Sequence, residues 1–473
     1  MASGASRTLS DAIASGAMDD ETLRRRIHDD MPRVIEELSS MVEIPSVGYP
    51  GYDPANVRAS AERTRDVFRA SGADAELLEI DGGHPAVFGR AGGGGPRTAL
   101  LYAHHDVQPA AHPEAWTTPP FAPTIRDGRL FGRGTADDKC GIAIHAAAVR
   151  ALEGSLACEV KLIVEGEEEC STEHLPQLVR GNEDLLRSDV AVIADGGNYR
   201  TGVPTIGTSI RGATQVTVQV DVLPIAQHSG AYGGPLPDAI MALSRMLASL
   251  HDDTGEVTVG GLHSFRWPGT DIPEDEFREE TGVFPEVALL GSGTIADRTL
   301  SKPSINVLAF EAPTVDEVSN QVVHTARAVV GLRMAPGEDY QRAVANVGEH
   351  LLAAAPWGVR VTIDAVEPGA GYIVDASTPT YQAAKSALGT AFDHRVVEMG
   401  SGGSIPLVPM LADTFPGIEV LIWGASDHRS NIHSIDESVD LGDLERMVVG
   451  EALFLQALGD AATASPSGAA RLA

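Results

Sequence analysis

A chain of 473 residues exceeds what one hydrophobic core sustains, since single cores stop growing near ~250–300 residues, so two domains are expected. Its 35 Lys plus Arg against 66 Asp plus Glu give a formal charge of −31, which excludes nucleic acid as a partner because a polyphosphate needs a basic surface to release its counterions. The three cysteines, Cys140, Cys158 and Cys170, form no Cys-x-x-Cys pair, which argues against a disulfide framework and a thiolate zinc site, and no run reaches the ~20 apolar residues of a membrane span.

The leader from Met1 to Ala17 is small and polar and lacks an apolar core of signal-peptide length, which together with the cysteine usage places the protein in the cytoplasm. From Asp20 to Val42, apolar residues recur at helical spacing (Leu23, Ile27, Met31, Ile35, Leu38) until Ile44-Pro45-Ser46 ends the pattern, predicting a first packing helix. The short apolar run 98–103 follows the turn-forming stretch Gly92 to Pro96, as a buried parallel strand would. Similar runs stand at Val160–Val164, Val190–Ala194 and Ile418–Trp423, with a helical pattern at Ile142–Leu152 between them.

The texture changes from Arg211. Residues 215–220 and 359–363 alternate polar and apolar side chains, as half-solvated antiparallel strands do, and helical patterns are read at Pro237–Leu250 and Val315–Val330. The expected architecture is an α/β domain with a mostly parallel mixed sheet flanked by helices, built from residues 20–211 and 372–460. A smaller α+β domain, an antiparallel sheet with two helices, is inserted at 212–371. There is no internal repeat.

In open α/β sheets ligands bind beyond the carboxyl ends of the strands, so the residues just after the apolar runs carry the interest. The first run leads into His104-His105-Asp106, the second into Glu165-Gly166-Glu167-Glu168-Glu169, the third into Asp195, and the fourth into a loop ending at His433-Ser434; Asp137-Asp138 opens a helix at Lys139. A single histidine after a strand is more often a hydrogen-bonded structural residue than a ligand. Taken jointly, imidazoles and carboxylates without thiolates suit a borderline divalent metal. Two such cations about 3.5–4 Å apart repel unless an anion lies between them, a part that a carboxylate at Asp137 could take.

These segments resemble the M20 metallopeptidases, in particular the dipeptidase branch that includes the carnosinase-like enzymes. The matching motifs are His-His-Asp-Val-Gln-Pro (104–109), Gly-Arg-Gly-Thr-Ala-Asp-Asp-Lys (132–139), Glu-Gly-Glu-Glu-Glu (165–169), Gly-Gly-Ser-Ile-Pro (402–406) and His-Ser-Ile-Asp-Glu (433–437), and the likeness runs from about Leu38 to Leu458. The resemblance implies two divalent metal ions per subunit, zinc or alternatively manganese, with His104 and Asp195 on one, Glu169 and His433 on the other, and Asp137 bridging. It makes Asp106 the carboxylate that orients His104. Glu168 falls at the general base, which takes a proton from the attacking water and returns it to the departing amine. Because three glutamates are consecutive, Glu167 is the alternative base.

The resemblance further makes Arg333 the ligand of the substrate's terminal carboxylate, and His228 a lid histidine that reaches the partner subunit's active site to polarise the scissile carbonyl. Asn306, Gly403 and Ser404 resemble weaker substrate contacts. The inserted domain becomes a lid and dimerisation domain, and the alternating strand at 215–220 is expected to pair across a two-fold axis in a homodimer. Two departures stand out: Lys139-Cys140-Gly141 where the family has Asp-Lys-Gly, and Ser171-Thr172 where it has Gly-Ser. His105, His112, His145, His394 and His428 read as spectators. Aspartate at 195 resembles the dipeptidase or aminopeptidase side of the family, so the expected activity is hydrolysis of a dipeptide or similarly short peptide. The alternatives are an N-acyl-amino-acid deacylase or desuccinylase of the same fold, and a noncatalytic metal- or ligand-binding homologue.

Overall fold

The computed structural model describes residues 18–366 and 369–459, so the leader read as cytoplasmic lies outside the described residues. The chain divides into two compact units, one made of residues up to Thr208 with Val374–Met399 and Pro406 onward, the other of Ser209–Ile373 and Gly400–Ile405. The main strands in chain order are β1 (Asp74–Leu78), β2 (Ala86–Gly92), β3 (Thr98–His104), β4 (Glu159–Glu165), β5 (Val190–Ile193), β6 (Gly212–Asp221), β7 (Ser304–Glu311), β8 (Thr325–Met334), β9 (Arg360–Ala365) and β10 (Glu419–Ile422).

In the first unit six strands form one sheet in the order β1-β2-β4-β3-β5-β10. The pairs β3/β4, β3/β5 and β5/β10 are parallel, while β1 and β2 add an antiparallel edge. After their first residues β3 and β4 are buried throughout, as expected of strands covered on both faces, which is why they read as unbroken apolar runs. Helix α1 (Asp20–Val42) begins where Asp19 accepts the N–H of Thr22 at 3.0 Å, and it buries Leu23, Ile27, Met31, Val34 and Leu38. Helix α2 (Lys139–Ala151) is capped by Asp138 and packs on β3 and α1. The last long helix, 441–458, also packs on α2.

In the second unit four antiparallel strands lie in the order β7-β8-β6-β9. Two helices, 239–248 and 340–353, bury Leu243, Met246, Val347 and Leu351 against Val216, Val218, Val330 and Leu332 of the sheet. Two expectations are corrected here. The segment 315–330 is not a helix: beyond a single turn at Val315–Glu317 it enters β8, where Ala326, Ala328, Val330, Leu332 and Met334 alternate inward, and the period of two prevails over the helical match. The strand containing 215–220 cannot pair across a two-fold axis, because β6 is interior and both its backbone edges are bonded, to β8 and to β9. The outer strand β7 instead leaves Val307, Leu308 and Phe310 exposed. The segment Gly400–Ile405 belongs to this unit although it lies within 372–460 of the chain. No described helix is long and apolar enough to cross a membrane.

Candidate metal centre

The parallel register sets the site. His104 ends β3 directly opposite Glu165 at the end of β4, so the turn carrying Glu167, Glu168 and Glu169 leaves the sheet beside His104. Strand β5 delivers Asp195 from the same end. The fully buried His104 donates from Nδ1 to the carbonyl of Asp106 at 3.1 Å, with the Asp106 carboxylate at 3.6 Å, which leaves Nε2 at 3.0 Å from Asp137 Oδ1. The other oxygen of Asp137 lies 3.0 Å from His433 Nε2, and that nitrogen is 3.2 Å from Glu169 Oε2. Asp137 therefore stands between the two imidazoles and turns one oxygen to each.

Around this aspartate the donors fall into two trios, His104 with Glu168 and Asp195, and Asp137 with Glu169 and His433; within each, the ligand atoms lie within 4.8 Å of one another. The Asp106 carboxylate accepts the backbone N–H groups of Glu168 at 3.2 Å and Glu169 at 3.0 Å, so it fixes the glutamate turn while its carbonyl fixes His104. Glu167 turns away: it accepts the N–H of His84 at 3.1 Å and pairs with His174 at 2.9 Å.

Electrostatics separates the acids. Burial, reinforced by the charge of Asp137, pushes Asp195 up to about 7. Burial likewise holds Glu168 well above the usual carboxylate range, with the charges of Asp195 and Glu169 adding to it. For Asp137 burial acts the same way, but hydrogen bonds from His104 and His433 override it and hold the carboxyl below its ordinary range. Those from Asp137 and Glu169 in turn raise His433 to about 10.

The residues fit a divalent cation. Glu169 Oε1 is buried without a hydrogen-bond partner, since Gln108 at 2.7 Å and His433 occupy only Oε2. An orphaned carboxylate oxygen beside two imidazoles, in a cluster where acids outnumber bases, is the donor set that a borderline cation satisfies. The Cys140 thiol is not part of it, because burial pushes its pKa up and its sulfur faces the carbonyl of Ala136 at 3.4 Å.

A model of peptidase family M20/M25/M40 matches residues 100–458. The chain belongs to that family. Among curated proteins, the cysteinylglycine-S-conjugate dipeptidase of Corynebacterium striatum is 34% identical over 90% of this chain and 96% of its own length. The β-Ala-His dipeptidase of Homo sapiens is 27% identical over 72% of this chain and 71% of its own. The solved di-peptidase of Saccharomyces cerevisiae matches with a TM-score of 0.81 at 21% identity, covering 94% of this chain and 99% of that one. Human carnosine dipeptidase 1 matches at 0.79 and 22%, covering 93% and 99%, and these two likenesses establish the fold.

The remaining candidates of this M20 chain lie in its second unit. Arg333 on β8 and Asn306 on β7 are exposed, as is Gly403, while Ser404 is half-buried. The exposed His228 accepts the N–H of Ala231 at Nδ1, 3.2 Å away, an arrangement that in the neutral imidazole puts the proton on Nε2. Among the spectators, His105 donates to the Pro85 carbonyl at 2.9 Å and His145 lies between Glu451 and the Tyr102 carbonyl, while His112 and His394 are exposed and His428 is half-buried.

Sequence reasoning missed Glu437. Fully buried, it accepts from Arg133 Nη1 at 2.6 Å and from the backbone N–H groups of Gly134, Ala136 and Asp137 at 3.0, 2.9 and 3.1 Å. One carboxylate from the His433 segment thus pins the whole loop that presents Asp137. The signal was present, since Arg133 and Glu437 both stand inside the quoted motifs, but their pairing spans some three hundred positions.

Proposed function

We propose that this chain hydrolyses the peptide bond of dipeptides or similarly short peptides at a two-metal centre, with His104 and Asp195 holding one cation, Glu169 and His433 the other, and Asp137 shared. The observation that carries this reading is Asp137 lying between two imidazoles, 3.0 Å from each, with Glu168 beside them. When bound, the cations supply Lewis acidity and lower the pKa of water. Glu168 takes the proton of the attacking water and hands it to the leaving amine, which suits a buried carboxyl whose proton affinity is raised. Asp106 and Glu437 hold the ligand-bearing loops still. Nitrogen and oxygen donors accept zinc and manganese alike, and zinc is the proposed metal, with manganese the alternative.

Arg333 receives the substrate's carboxylate, and among the described residues no acidic side chain pairs with its guanidinium. Asn306, Gly403 and Ser404 add weaker contacts. The name of the C. striatum relative makes S-conjugates of cysteinylglycine the first substrates to try. The second unit acts as lid and dimerisation domain in a cytoplasmic homodimer, with the apolar edge of β7 as the meeting surface in place of 215–220. His228 acts in trans by donating its Nε2 proton to the scissile carbonyl.

A dipeptide panel assayed with and without added metal tests the activity. Turnover that needs metal and is abolished in Glu168→Ala, with metal content retained, supports it; cleavage of N-acyl amino acids in place of dipeptides overturns the substrate class. For the trans role, mixing His228→Ala with Glu168→Ala subunits should regain activity, and a mixture that stays inactive while subunits exchange refutes it.

A further inference from the structure

A second arginine of the second unit, Arg211, takes no part in the proposed reaction. Arg211 is only 4% exposed. Its backbone N–H donates to the carbonyl of Gly403 at 3.1 Å. Its side chain donates from Nη1 to the carbonyl of Thr299 at 2.8 Å, and from Nη2 to the carbonyl of Lys302 at 2.8 Å, to Ser304 Oγ at 3.0 Å and to the carbonyl of Arg333 at 3.2 Å. Nε is buried with no acceptor.

Every one of these partners is neutral. Among the described residues neither Arg211 nor Arg333 stands in an ion pair, although a buried guanidinium ordinarily requires one. Burial first, and the charge of Arg333 second, pull Arg211 down to about 10, so it remains cationic at neutral pH. Two cations without a counter-charge therefore sit where three segments meet: 299–304 leading into β7 and Asn306, the end of β8 with Arg333, and the loop with Gly403 and Ser404. Ser304 and Arg333 face each other in register across β7 and β8, so one side chain holds both strands at the level of Arg333. Neutral acceptors, three carbonyls and a hydroxyl, occupy Nη1 and Nη2 of Arg211 and leave its charge for something brought in from outside.

We propose that Arg211 is the positioning residue of a carboxylate-recognition cradle: it ties the segments bearing Arg333, Asn306 and Gly403 together, and its unpaired charge strengthens the pull of Arg333 on the substrate's C-terminal carboxylate. This rests on Arg333 being the carboxylate ligand.

The test compares a dipeptide with its C-terminal amide, each used as substrate and as competitive inhibitor, in Arg333→Met, Arg211→Met, Arg211→Lys and Ser304→Ala, with metal content and melting temperature measured alongside. Arg333→Met and Arg211→Met should each raise KM for the free acid about tenfold or more, change kcat by less than about threefold, and erase the wild-type preference for acid over amide. Arg211→Lys should retain part of that preference, and Ser304→Ala should weaken it by about two- to fivefold. If Arg333→Met erases the preference and Arg211→Met keeps it, the role of Arg211 is overturned while Arg333 stands. If Arg333→Met keeps it, the carboxylate reading itself fails. Equal losses on acid and amide together with a lowered melting temperature would make Arg211 a purely structural residue and overturn the proposal. Should Arg211→Met not fold, an unchanged preference in both Arg211→Lys and Ser304→Ala overturns it equally.

Discussion

In the first unit the candidate metal centre gathers around the ends of buried strands, and several of its groups are held by one another: Asp106 by the glutamate turn, Glu437 by the loop of Asp137, His104 by a carbonyl and a carboxylate. The second unit places its candidates, His228, Asn306 and Arg333, at exposed positions on or beside an antiparallel sheet, and the guanidinium of Arg333 stands in no ion pair among the described residues. On the proposed function, the contrast follows from what each region would have to handle. A reacting centre gains from donors that need no reorganisation, whereas residues that meet a substrate must stay open to solvent until it arrives.

If that contrast is right, variants of the first unit should damage chemistry or metal retention, and variants of the second should act on substrate. The largest effect is expected for Glu168→Ala, a loss of about a hundred- to ten-thousand-fold in kcat at unchanged metal content by elemental analysis. His228→Ala is the sharpest challenge, because it belongs to the second unit yet should cost kcat about a hundred- to a thousandfold if it donates to the developing oxyanion, with metal affinity untouched. A change confined to KM would return it to the ordinary behaviour of its unit.

Glu437→Gln should lower metal affinity by about ten- to a hundredfold in a chelator competition, since an amide cannot accept all four donors of the Asp137 loop. Unaltered affinity would show that the loop holds its shape without that carboxylate. The smallest effect lies away from both sets. Burial raises the Cys158 thiol to about 12 from an ordinary 9, so the folded state keeps its proton after the unfolded state has lost it. The stabilisation is therefore complete below pH 9 and declines as pH rises towards 12, with a slope of at most about 1.4 kcal/mol per unit for one proton. Denaturant titrations of Cys158→Ala across that window should show a shallower alkaline decline, with kcat and KM at neutral pH as in the parent chain.

Much of the fold was legible because burial on both faces leaves an unmistakable trace: the runs at 98–103, 160–164, 190–194 and 418–423 all became strands of one sheet. The helix read at 315–330 failed because alternation and helical spacing coincide over short apolar stretches, and only strand partners on both sides decide between them. The interior place of β6 was equally hidden, since an alternating strand looks the same at a sheet's edge and at its centre.

By itself the sequence determined the identity and order of the chemistry-bearing segments, because metal-capable groups recur immediately after apolar runs and every quoted motif is local. Tertiary structure alone decided which oxygen faces which imidazole, that Glu437 reaches the Asp137 loop, and that Arg211 gathers three distant segments. Those are contacts between residues tens to hundreds of positions apart, and hydrogen bonds at such separations depend on how the sheets pack, which no local spacing encodes.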